Sequence, residues 1–131
     1  MRKLYTLAFM FLLAISSSAG DLATTFKQAA ALADAQDKDP AAREYEHRDL
    51  IPYYQQKYGP VFNSCLASTD HPDTSPFSFV AAIGTDGRVM RLYNDHETNI
   101  YVCVRQTLQQ DEFPHPPISP YYMSMSMSFG K

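Results

Sequence analysis

Residues 77–93 read Phe77-Ser78-Phe79-Val80-Ala81-Ala82-Ile83-Gly84-Thr85-Asp86-Gly87-Arg88-Val89-Met90-Arg91-Leu92-Tyr93, and this stretch decides the fold. Phe77, Phe79, Ala81 and Ile83 alternate with Ser78, Val80 and Ala82, which describes a strand with two largely apolar faces. Asp-Gly is among the strongest hairpin signals, because a tight antiparallel turn needs residues that tolerate positive φ. Gly84–Gly87 is therefore expected to turn the chain, and Arg88–Tyr93 to pair back as a second strand.

Downstream, Asn94-Asp95-His96-Glu97 is a polar connector. A helix is expected from Thr98 or Asn99, either of which can cap it. Ile100, Cys103, Val104, Thr107 and Leu108 then recur at i, i+3, i+4, i+7 and i+8, a single apolar stripe with Cys103 on its buried face. The helix ends before Phe113, and Pro114-His115-Pro116-Pro117 is a stiff extended spacer. Tyr121–Phe129 closes the chain as a strand. Met123, Met125 and Met127 share one face with Tyr121 and Phe129, expected to be core; Tyr122, Ser124, Ser126 and Ser128 share the other, expected to be small and wet.

Upstream the pattern is helical. Leu22, Phe26, Ala29, Leu32 and Ala33 fall at helical spacing in an alanine-rich stretch. Asp39 can cap and Pro40 can start a second helix, running through Arg43, Tyr45 and Arg48 toward Leu50-Ile51. Pro52 kinks it or begins a new turn. Gly59-Pro60 is expected to break the chain before a short helix carrying Val61, Phe62, Cys65 and Leu66, and residues 69–76 are a loop by composition. The fold class is therefore α+β: a small antiparallel sheet of hairpin and closing strand with one helix packed on it, preceded by two or three helices. The expected organisation is a leader over 1–19, a helical segment over 20–60 and an α+β unit over 61–131.

The leader has the three parts of a cleavable secretory signal: Met1-Arg2-Lys3, an apolar run from Leu4 to Ile15, and small residues from Ser16 to Gly20. The run is shorter than the roughly 20 residues that span a bilayer. Cleavage after Ala19 would leave an exported, periplasmic or secreted chain with no stable membrane insertion. It would also remove Arg2 and Lys3, leaving nine basic residues against fourteen acidic ones and no basic cluster. Nucleic acid is then a poor partner. Cys65 and Cys103 are the two cysteines, and an even count in an exported chain reads as a disulfide rather than two buried thiols.

The candidates for chemistry are sparse. His47, His71, His96 and His115 show no helical metal spacing; His71, between Asp70 and Asp73, is the nearest to a carboxylate–histidine cluster and reads as a loop residue. Glu44/Glu46 and Asp111/Glu112 are too close in sequence to face each other on a helix and read as solvated faces. HExxH, GxSxG and glycine-rich phosphate loops are absent from the sequence. No cofactor is implied. The tyrosines Tyr45, Tyr53, Tyr54 and Tyr58, with Tyr121-Tyr122, fit either an interface or a bridge between helices and sheet.

From about Val61 to Phe129 the chain resembles the TonB C-terminal domain, in the group that carries an extra cysteine pair. The resemblance lies in Asp86-Gly87-Arg88-Val89 after the first strand, in Phe113-Pro114 after the central helix with Pro116-Pro117 beyond, and in the closing strand 121–129. It implies a non-catalytic module that binds an envelope protein by strand addition, through Tyr122, Ser124, Ser126 and Ser128. Such an edge exposes unpaired backbone groups, and small serines leave them reachable. The cleavable leader, and helices in place of a long proline-rich spacer, depart from the energy-transducing members, so powered transport is not implied. The alternative is a small-ligand or Cu(I)-binding protein using Met123, Met125 and Met127, whose soft sulfurs would lie about 7 Å apart along one strand face.

Overall fold

The computed structural model describes residues 21–130, so the leader over 1–19 lies outside the described residues. Among those described, the order is α1 (Phe26–Gln36), α2 (Pro40–Tyr45), a π-helical turn (Glu46–Leu50), α3 (Ile51–Ser68), β1 (Phe77–Ile83), β2 (Val89–Asn94), α4 (Asn99–Gln110) and β3 (Tyr121–Met127). The strands form an antiparallel sheet in the order β2-β1-β3, with β1 central. The expected α+β architecture is present. No helix among the described residues is long and apolar enough to cross a membrane.

The two apolar faces of β1 are covered by different layers. Phe77, Phe79, Ala81 and Ile83 join Tyr58, Tyr101, Leu108 and Met123 in the main core under α3 and α4. Val80 and Ala82 join Tyr93, Tyr122 and the alanines Ala29 and Ala33 of α1 in a second core. Alanine lets α1 approach the sheet closely, and its ends are latched there. Tyr93 Oη donates to the Ala23 carbonyl at 2.5 Å, and the Ala23 N–H donates to Tyr122 Oη at 3.1 Å. Leu32, expected on the buried stripe, is instead 42% exposed.

The Asp-Gly turn forms as expected. Gly87 has φ +79°, and a Cβ there would overlap the Phe113 carbonyl oxygen. Only glycine satisfies both conditions. The Phe113 N–H donates to the Gly87 carbonyl at 2.9 Å, so the turn fixes the segment that follows α4.

The expected break at Gly59-Pro60 does not occur: α3 runs from Ile51 to Ser68 with Pro60 inside it. An interior proline costs a helix about 3 kcal/mol. Here Gly59 and Pro60 face solvent, while Tyr58, Phe62 and Cys65 form a buried stripe that outweighs the loss. Residues on both sides of position 60 therefore share one core. Pro52 acts upstream. The helix widens, the Ile51 N–H reaching the Glu46 carbonyl five residues back, and this relieves the clash a proline ring makes with the carbonyl four residues before it.

Cys65 on α3 and Cys103 on α4 form the expected disulfide, with Cα atoms 5.8 Å apart. It joins the two helices that cover the main core. Replacing both cysteines with serine is expected to lower stability by about 3–4 kcal/mol in the chain-entropy picture. Urea denaturation of the variant against the oxidised parent measures it; an unchanged midpoint would contradict the role assigned to the bond.

Candidate functional site

β3 is an edge strand, and its backbone polarity follows from the pairing. Antiparallel partners alternate between residues that bond across the ladder and residues whose N–H and C=O point outward. Tyr122 points outward: its N–H donates to Gln36 Oε1 at 2.9 Å, and its carbonyl accepts from Gln36 Nε2 at 3.1 Å. The Gln36 amide thus imitates a neighbouring strand at one residue. By the same parity, Ser124 and Ser126 present their N–H and C=O to the free edge, where no protein group meets them among the described residues.

The four residues expected to bind a partner therefore differ. Tyr122 is buried, 5% exposed, beneath α1. Ser124, Ser126 and Ser128 are exposed, with the Ser126 hydroxyl 2.8 Å from that of Ser78 on β1. The strand ends at Met127, two residues before the expected Phe129, which packs against Phe77 at 6.4 Å between ring centroids. The outer face of β3 is thus core at Tyr122 and wet only from Ser124 onward.

A slot of about 230 Å³ lies along the start of this edge, lined by Ala33, Asp34 and Asp37 from the end of α1, by Glu46 and Leu50 from the π turn, and by residues 121–125 of β3. Glu46 is half-buried. Burial pushes its carboxyl above the usual range, and the nearby Asp37 carboxylate pushes it further.

The methionines divide by depth. Met123 is 1% exposed in the main core, and Met125 and Met127 pack against that core. Their sulfurs fill the face opposite the serines. The histidines stay at the surface: His71 lies 3.7 Å from Asp70, His96 lies 3.1 Å from Asp95, and His115 lies 3.5 Å from Glu112. The tyrosines bridge the layers, Tyr45 packing edge-on against Tyr121 at 4.9 Å and Tyr58 stacking on Phe113 at 5.8 Å.

Asp111 overturns the expectation of a solvated acidic pair. It is 4% exposed, whereas Glu112 is exposed. Its carboxylate accepts from Tyr53 Oη at 2.6 Å, Lys57 Nζ at 2.6 Å and Tyr58 Oη at 2.7 Å. Burial alone would raise its pKa, but donation from Lys57, Tyr53 and Tyr58 outweighs burial and holds the carboxyl below the usual range. A buried carboxylate needs such a set of donors. The sequence held a signal for it: 100, 104, 108 and 111 continue one helical stripe. Gln36 had no such signal, being one more polar residue near a helix end.

No family model matches the chain, and no curated protein and no solved structure matches it either. The likeness to the TonB C-terminal domain therefore rests on the short motifs quoted above.

Asp111→Asn is expected to lower stability by about 3 kcal/mol at pH 7, since Lys57 and two tyrosine hydroxyls lose a charged acceptor. The native carboxyl titrates below its unfolded value of about 3.9. Its contribution is thus complete above that pH and is lost as pH falls through the native value. Urea titrations at pH 7 and pH 3 should show the gap between parent and variant narrowing at the lower pH; a gap that is constant, or wider in acid, would contradict the assignment.

Proposed function

We propose that this chain is an exported, non-catalytic protein-binding module that takes an extended segment of an envelope protein as an added strand along β3. The observation that carries the reading is the outward backbone of Ser124 and Ser126, which has no partner among the described residues, at a sheet edge closed at Tyr122 by Gln36. Main-chain pairing supplies affinity in strand addition, and alternate side chains supply selection. The footprint runs from Ser124 toward Ser128, with Gln36 as the stop at Tyr122. The leader over 1–19 supports export to the periplasm or beyond, and the motifs shared with the TonB C-terminal domain support the binding mode.

Proline distinguishes the two edges of β3. Ser124→Pro removes an outward donor and leaves the β1 ladder intact, whereas Met125→Pro removes an inward one and should unfold the strand. Peptides selected by display against the parent protein are expected to lose binding to Ser124→Pro while its melting temperature stays within a few degrees of the parent. Peptides that bind Ser124→Pro as tightly as the parent would rule out this edge.

A further inference from the structure

The slot beside β3 is lined by three carboxylates: Asp34 and Asp37 come from the end of α1, and Glu46 comes from the π turn. None of the three takes part in an ion pair among the described residues. Asp34 lies in the last turn of α1 and Asp37 is its C-cap, where the helix dipole disfavours negative charge. Glu46 is half-buried beside Asp37, and burial together with the charge and hydrogen bond of Asp37 holds the Glu46 carboxyl above its usual range. Arg43 and His47 counter this at Glu46 by less than burial and Asp37 oppose it. Three carboxylates thus gather beside the start of the open edge, where the slot reaches Ser124 and Met125.

Resting on the strand-addition reading above, we propose that the added strand is basic: a lysine or arginine next to the residues paired with Ser124 and Ser126 enters the slot and meets Asp34, Asp37 and Glu46. Alternate side chains of an added strand point to opposite faces, so only a cation on the slot side of the strand meets these carboxylates. The long stem of lysine or arginine lies along Leu50 and Ala33 while its head stays among the acids. Gln36 fixes the register by closing the edge at Tyr122.

The test uses short fluorescent peptides of alternating threonine and valine with lysine, glutamine or glutamate at one position, titrated by anisotropy. The lysine peptide is expected to bind roughly tenfold more tightly than the glutamine peptide at low salt and the glutamate peptide least, with the advantage shrinking as ionic strength rises past about 0.15 M. The advantage should vanish in the combined variant Asp34→Asn, Asp37→Asn, Glu46→Gln, and be reduced in Glu46→Gln alone, which serves if the combined variant fails to fold. Equal binding of the lysine and glutamine peptides, or an advantage that survives neutralisation, would overturn the basic partner; the acids would then act only to keep sheet edges apart, and strand addition would stand. Failure of every peptide to bind would remove both.

Discussion

Phe77 and every residue from Phe79 to Ile83 are 1% exposed or less, so both faces of β1 must be covered. Each large apolar side chain buried there contributes about 1.5–3 kcal/mol. A single layer of helices cannot cover two faces. The chain therefore places α1 on one side and α3 with α4 on the other, and sets β1 in the middle of the sheet with β2 and β3 as its two neighbours. The free edge of β3 is a consequence of that arrangement. With β1 saturated on both sides, nothing else among the described residues pairs with Ser124 and Ser126.

Polar contacts then fix how the layers sit. The disulfide and the Asp111 cluster tie α3 to α4 and its C-terminal end, one by a covalent bond and the other by a buried carboxylate with three side-chain donors. The Gly87 turn locks the hairpin to the segment after α4. Ala23, just before α1, and Gln36, its last residue, both engage Tyr122, and Tyr93 donates to the Ala23 carbonyl as well, so two tyrosines hold that helix on the sheet. The same contacts that stabilise α1 close the edge at Tyr122.

The elements legible in the sequence were those with strong local signals: the alternation of β1, the Asp86-Gly87 turn, the Thr98 cap and stripe of α4, and the Asp39-Pro40 start of α2. The Cys65–Cys103 bond followed from an even cysteine count and a place on the apolar stripe of α4. The continuity of α3 was not legible, because local rules price Pro60 at its full helical cost while the compensating stripe of Tyr58, Phe62 and Cys65 acts only once packed. The division of β3 was hidden for a similar reason. Alternation separates two faces, but which part of a face lies under another helix depends on where α1 ends. Gln36 and Asp111 act through residues tens of positions away, and only the second left a periodic trace.

The account of function stands on the alternation of backbone groups along β3, and amide hydrogen exchange of the free protein reads it residue by residue. The amides of Met123 and Met125, bonded to β1, and of Tyr122, bonded to Gln36, are expected to be protected, while those of Ser124 and Ser126 exchange close to the unprotected rate. Protection of Ser124 and Ser126 equal to that of Met123 and Met125 would mean that this edge is already covered, and would contradict the proposal that it receives a partner strand.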